Sequence, residues 1–287
     1  MFLKKIYIEE FSRWIELSKG INVLPNEDSF EFDCIAFGLG LISSKISREF
    51  DFDINNRTGN SASVKVVCDF DNKEVEWTRN YCFGHIDYNK EKDIAINEAP
   101  IIVYYNGRII DVYHDDYNDD STINIGLEYL YKNNSDNVGF YAVQGEMSKL
   151  FKERIKMIAS ENTNNDRFKY VNFHCENIKR IVNEAIGILN FHGFNFNIAK
   201  RCFTLKKNNI TYESVRNSAI PYLIGICLDL YYRCMIKNPN AFEDVLLANG
   251  IALINVNFGE RPSYSDNKWK YYHFFERTFP NVQLIAL

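Results

Sequence analysis

The stretch Gly250-Ile251-Ala252-Leu253-Ile254 is a short, unbroken apolar run that follows a polar turn. A strand with one wet face alternates apolar and polar residues. A continuous run of this length reads as a strand buried on both faces, as in a parallel sheet. Residues 99–105 (APIIVYY) form a second strand of the buried kind, and residues 282–287 a last one. Helical patterns lie among them at 168–189, 218–236 and 268–278; the first carries Ile178, Ile181, Val182, Ala185, Ile186 and Leu189 on one stripe. Buried strands interleaved with helices set the class as α/β.

The first hundred residues read differently. Residues 2–10 and 21–24 are strands, and 30–44 is a very apolar helix. Residues 63–70 and 73–79 alternate with period two about the turn Asp71-Asn72, which is a hairpin pattern. Residues 194–205, with the turn Lys207-Asn208-Asn209, read as another hairpin. Between 106 and 166 the chain is broken by polar clusters around a helical pattern at 145–158, the mark of an insertion carried on loops. The expected organisation is a single domain, 1–287: a β-rich N-lobe (1–105), a helical and loop insertion (106–166) and a C-lobe (167–287).

Composition narrows the function classes. Hydrophobic residues make up 46 % and aromatics 15 %, enough for a large and largely aromatic core. The net charge of −5 and pI of about 5.6 disfavour a protein whose task is gripping a phosphate backbone, and permit a basic protein partner. Seven cysteines, an odd number at irregular spacings, imply a reduced, cytoplasmic protein. The N-terminus is charged throughout, unlike a signal peptide, and no run reaches the ~18 apolar residues of a membrane span.

Several segments together resemble a known family. Residues 230–254 (LYYRCMIKNPNAFEDVLLANGIALI) look like the helix and strand leading into the Walker B site of RecF-like AAA/ABC ATPases, and 268–286 (KWKYYHFFERTFPNVQLIA) like the helix and strand after it. Residues 4–11 match that family's opening strand, 20–24 the strand before its P-loop, 33–37 the helix after it, and 100–105 a further strand. These are stand-alone ATP-binding proteins of bacteria, often encoded in phage-defence and mobile-element operons. The resemblance implies an α/β, ABC-ATPase-like (P-loop NTPase-like) domain.

The family's functional motifs are altered at each matching position. A P-loop needs glycines to let backbone N–H groups wrap phosphates, a Lys for the β/γ-phosphates and a Ser/Thr for Mg²⁺. Pro25, Asn26, Glu27, Asp28 and Ser29 stand there instead, about four residues short of such a loop and without Gly or Lys. Glu27, Asp28 and Glu31 would repel phosphate, and Ser29 alone could mimic the metal ligand. The Walker B strand should end in Asp-Glu; Asn255 and Val256 follow here. The ABC signature position holds Asn217, Ser218 and Ala219, with no Gly. The family's switch histidine, expected after the last strand, has no counterpart before Leu287. Phosphoryl transfer is positioning plus charge, so these changes predict no catalysis, no catalytic residue, no cofactor and no metal.

What the resemblance then implies is a pseudo-ATPase that binds a protein partner in a bacterial conflict system: a toxin or effector, as for an immunity protein or antitoxin, or the ATPase or nuclease subunit of a defence complex. The competing expectation is the degenerate half of a heteromeric, ATP-binding ABC-type ATPase. A nucleic-acid-binding module ranks last. Other clusters read as structural. His114-Asp115-Asp116 with Asp119-Asp120 is a solvated acidic loop lacking the Gly and terminal Glu of a calcium loop. Cys82, His85, His174 and Cys175 have poor zinc spacing. Lys200, Arg201, Lys206 and Lys207 are a solvated basic face, and the stripe Trp269, Tyr271, Tyr272, Phe274 and Phe275 is expected to pack in the core.

Overall fold

The computed structural model describes residues 2–24, 29–39, 61–70, 72–82, 85–90, 101–106, 166–197, 202–213, 219–238, 244–255 and 267–287. A four-stranded parallel sheet forms the middle layer, in the order β3 (Ile21–Val23), β12 (Val282–Ala286), β11 (Gly250–Asn255), β7 (Ile101–Asn106). The apolar runs of β11 and β12 are buried along their length. The expectation of a strand covered on both faces is met.

A five-stranded antiparallel sheet covers one face: β2 (Arg13–Glu16), β1 (Phe2–Ile8), β4 (Ser61–Phe70), β5 (Lys73–Cys82) and β6 (His85–Lys90), in that order. The predicted hairpin is present as β4 and β5. Asn72 adopts φ 65° at its turn, and its N–H donates to the Asp69 side chain at 3.0 Å. The first predicted strand ends two residues early, in a 3₁₀ turn at Glu9–Phe11 that leads into β2. Helix α1 (Ser29–Gly38) packs on this sheet and is apolar almost all round, as a helix clasped between layers must be. Its C-terminal carbonyls are held by β5. Trp77 Nε1 donates to Gly38 O at 2.9 Å and Arg79 Nη1 to Phe37 O at 3.0 Å. At Gly38 a Cβ would lie 2.6 Å from Val64 Cγ1, so only glycine lets the helix end approach β4 this closely. The helix predicted over 30–44 is described as Ser29–Gly38, and residues 40–44 lie outside the described residues.

Three helices cover the other face: α2 (Asp166–Gly187), α3 (Ala219–Lys237) and α4 (Lys268–Thr278). A small antiparallel sheet, β8 (His192–Asn197), β9 (Cys202–Lys207) and β10 (Ile210–Glu213), follows α2. Asn208 and Asn209, at φ 51° and 64°, close the β9–β10 turn; left-handed central residues are what a two-residue hairpin loop requires. The alternation of strand side chains assigns β11 and β12 to two cores. Ile251, Leu253, Ile285 and Leu287 join the antiparallel sheet and α1. Ala252, Ile254, Leu284 and Ala286 join the three helices. Gln283 is the polar exception, buried on the antiparallel side. Its Oε1 accepts from Leu3 N–H at 2.7 Å, and its Nε2 donates to Leu3 O at 2.9 Å and Ser18 O at 2.6 Å.

One predicted core residue is misplaced. Tyr271, Tyr272, Phe274 and Phe275 are buried as expected, but Trp269 is 57 % exposed. No helix among the described residues is long and apolar enough to cross a membrane. The helical pattern at 145–158 and nearly all of the 106–166 insertion lie outside the described residues. Cys34, Cys68, Cys227 and Cys234 are buried free thiols. Burial pushes the Cys68 and Cys227 thiols well above their ordinary range, so both are inert.

Candidate functional site

In an open parallel sheet, ligands bind outside the carboxyl ends of the strands, because loops and helix N-termini converge there. The chain leaves β3 at Leu24, whose N–H donates to Ala286 O at 2.9 Å, and Ser29 is the first residue of α1. β11 ends at Asn255, which faces Asn106, the last residue of β7, across the sheet. β12 lies between β3 and β11, so their exit points are two strand spacings apart, about 10 Å. The backbone therefore sets the head of α1 and the end of β11 along one edge.

Only part of the predicted site can be placed. Pro25, Asn26, Glu27 and Asp28 lie outside the described residues. Ser29 opens α1, with its side chain undescribed. Asn255 closes β11, likewise without a described side chain, and Val256 lies beyond it. Asn217 and Ser218 lie outside the described residues, and Ala219 begins α3. The topology brings the strand ahead of the Pro25–Ser29 segment and the strand ending in Asn255 to the same edge. It leaves the chemistry between them to residues that are not described.

One expectation needs correcting. Glu31 does not confront a phosphate position as a free negative charge. It sits in the first turn of α1 with no exposed surface, and Arg13 Nη2 of β2 donates to its Oε1 at 2.5 Å. Glu31 is buried among Phe30, Phe32, Cys34, Ile35 and Phe37, whereas Asp33, the helix's other acid, is half-buried, and a buried carboxylate needs a partner. The Arg13 side chain is 40 % exposed, its guanidinium lies 5.7 Å from the Phe11 ring, and its Nε is buried without a hydrogen bond. Phe11 meets Phe30 edge-on at 6.1 Å. The Glu9–Arg13 turn is thus clamped to the head of α1 by one aromatic and one ionic contact. Nearby, Glu10 accepts from Ser63 N–H at 3.1 Å, and burial raises its pKa above the usual carboxylate value.

Sequence reading missed Arg13 and Glu10. The available signal was Glu31 itself: of the helix's two carboxylates, Glu31 and Asp33, it is the one flanked on both sides by phenylalanines, and a buried carboxylate demands a partner. The weighed zinc set does not assemble. Cys82 and His85 are cross-strand neighbours in the antiparallel sheet, whereas His174 is buried in the helical layer against Tyr231. Among the described residues, no group of three or more His, Cys, Asp or Glu is placed to hold a metal. Of the predicted basic face, Lys206 is exposed and Lys207 lies over the Phe191 ring at 4.7 Å; Lys200 and Arg201 lie outside the described residues.

The last residue of β11 is Asn255, and the first turn of α1 carries the buried acid Glu31, held by Arg13. The layers define the class. The parallel sheet places one strand between the loop-and-helix strand and the strand ending in Asn255. An antiparallel sheet lies on one face and helices on the other. This is an α/β fold of three layers, antiparallel sheet, parallel sheet and helices.

No family model matches the chain, and no curated protein matches it. Among solved structures it is similar to the SMC head domain from Thermotoga maritima, at 15 % identity and a TM-score of 0.45, covering 100 % of this chain and 88 % of that one. It is also similar to a structure of the recombination mediator protein RecF of the RecFOR pathway, at 14 % identity and a TM-score of 0.42, covering 100 % of this chain and 92 % of that one.

Proposed function

We propose that this chain is a catalytically inactive pseudo-ATPase that serves as a protein-binding scaffold. The observation that carries the reading is Asn255. The strand framework of the fold is kept, and the strand positioned to deliver a metal carboxylate ends in a neutral amide beside Asn106. With no Gly or Lys in the Pro25–Ser29 segment, nothing there replaces the lost charge. On the resemblance drawn from the sequence, the setting is a cytoplasmic, bacterial conflict system. The chain would act as an immunity protein or antitoxin that holds a toxin or effector, or as a subunit of a defence complex. The partner surface expected on the 106–166 insertion lies outside the described residues.

The test is capture of the tagged protein from its native host with and without ATP and Mg²⁺, joined to calorimetric titration of the purified chain with ATP and Mg²⁺. One stoichiometric partner recovered equally in both conditions, with no heat of nucleotide binding, is the expected outcome. A partner held only with ATP, carrying intact Walker motifs, would instead make this chain the degenerate half of a heteromeric ATP-binding ATPase. Micromolar ATP binding by the isolated chain would sink the scaffold reading.

A further inference from the structure

We infer that the open edge of β10 is a strand-addition site that takes an extended, acidic segment of a protein partner. The inference deepens the scaffold reading, on which it rests for the expectation of a protein ligand. β10 is the outermost strand of the small sheet and, among the described residues, pairs with β9 alone. Asn208 and Asn209 form a two-residue turn, so the flanking Lys207 and Ile210 exchange both main-chain hydrogen bonds. The alternation of an antiparallel ladder then sends the N–H and C=O groups of Thr211 and Glu213 away from β9. Sheets usually blunt such an edge with a lysine, a proline or a bulge. The opposite edge, β8, is blunted: its register with β9 shifts between His192 and Asn195, and Gly193 takes φ 65°. β10 reads Ile-Thr-Tyr-Glu in continuous register with β9 and carries none of these devices.

The side chains along the edge define the occupant. Ile210 and Tyr212 stand on one face of β10 and are 58 % and 37 % exposed, whereas Leu205, opposite Tyr212, is fully buried. Tyr212 meets the half-buried Phe191 ring edge-on at 5.9 Å, and Lys207 Nζ lies over that ring at 4.7 Å. An added strand would lay alternate apolar side chains beside Ile210 and Tyr212. It would find Lys207 on the same face and Lys206 on the other, one strand further in. By sequence, residues 192–213 carry Lys200, Arg201, Lys206 and Lys207 against Glu213, a local charge of +3 in a chain of net −5. That charge favours an acidic segment. It opposes a second copy of this chain, which would bring the same +3 segment to the edge. In strand addition, main-chain pairing supplies affinity and alternate side chains supply selectivity. A nucleic acid has no alternating main-chain donors and acceptors to match the outward groups of Thr211 and Glu213.

The probe is a short fluorescent peptide of alternating valine and glutamate, titrated by anisotropy into the full chain at physiological salt. Saturable binding is expected, with the valine–lysine counterpart at least about ten-fold weaker. Thr211→Pro removes an outward N–H that β9 does not use, so the hairpin should survive while affinity falls about ten-fold or more. The charge reversal Lys206→Glu/Lys207→Glu should favour the lysine peptide instead. No binding of the glutamate peptide by the wild type, or undiminished binding by folded Thr211→Pro, would overturn the inference. Should Thr211→Pro not fold, hydrogen exchange of the wild type decides: saturating peptide should slow the Thr211 and Glu213 amides about ten-fold, and unchanged rates refute the site. Oligothymidine competing for the same edge, or self-association abolished by Thr211→Pro, would replace the acidic segment by a nucleic acid or a second copy and so refute it too. A wild type that ignores the peptide yet captures a partner equally with and without ATP loses only this site. ATP binding by the isolated wild type sinks the scaffold reading whatever the peptide does.

Discussion

At the scale of single residues, the informative positions are polar groups that the core has had to accommodate. His174 is buried between α2 and α3, its Nδ1 2.7 Å from the Tyr231 hydroxyl, and burial lowers its pKa to about 4. The sign follows. Between that value and the ordinary value of about 6.5, the unfolded chain takes up a proton that the folded chain refuses, so stability falls as pH drops from 6.5 toward 4. The loss should approach roughly 3 kcal/mol, and urea denaturation from pH 7 to 4.5 of wild type against His174→Gln should show the slope shrinking in the variant. An equal slope in both would place the titration elsewhere. Gln283 makes the opposite demand, for partners of both kinds. Gln283→Met fills the same space without an amide, stranding Leu3 N–H and the carbonyls of Leu3 and Ser18. It should cost roughly 2–4 kcal/mol in chemical denaturation, and a cost under about 0.5 would show that water replaces the amide. Such residues were visible in the sequence as polar letters in apolar surroundings: Glu31, with Asp33, in SFEFDCIAF, and Gln283 alone in VQLIAL. Their partners were not visible, because a cross-layer hydrogen bond leaves no periodic trace in the chain.

At the scale of elements, pattern was most legible where burial was complete. β11, α4 and β12 lie where the apolar runs put them, give or take a residue. β2 escaped notice because the turn before it is closed by Ser12 at φ 48°, with its N–H on Glu9 O at 2.9 Å. A non-glycine left-handed residue carries no turn signature of the Asn-Gly kind. Trp269 was misplaced for a different reason. At about 100° per residue, Tyr271, Tyr272, Phe274, Phe275 and Thr278 share one side of α4, and Trp269 points roughly opposite their mean direction. Hydrophobicity had been allowed to outvote phase. Trp269→Ala should therefore move stability by no more than about 0.5 kcal/mol. Tyr272→Phe should cost about 1 kcal/mol, because it removes the 2.7 Å hydrogen bond to the Leu287 carbonyl in a buried setting. In β11, Ile251→Ala and Leu253→Ala should each cost roughly 2–5 kcal/mol, as befits a strand with neighbours on both sides. Thermal and urea denaturation of these four variants would rank them, and a near-neutral Leu253→Ala would contradict the central position of β11.

At the scale of the whole molecule, the parallel sheet is a partition that belongs to both cores, so neither core can lose order without withdrawing support from the other. Trp14 and Trp77 report the antiparallel side and Trp269 the helical side. Tryptophan-to-phenylalanine variants that leave one reporter at a time should give coincident unfolding midpoints, the behaviour of the single domain expected for 1–287. Separated midpoints would divide the chain at the sheet. The same unity bears on chemistry. On the pseudo-ATPase reading, Asn255→Asp with Val256→Glu restores the carboxylates that the family resemblance expects there, yet leaves no phosphate cradle. The segment before α1 would still lack Gly and Lys, and Glu31 would still hold Arg13. Positioning and charge act together in phosphoryl transfer, so repairing one side of a divided site should yield no ATP hydrolysis above the wild-type background in a phosphate-release assay. Turnover in that double variant would show that the cradle is supplied by residues the sequence pattern does not reveal, and the chain would then be an ATPase short of two side chains.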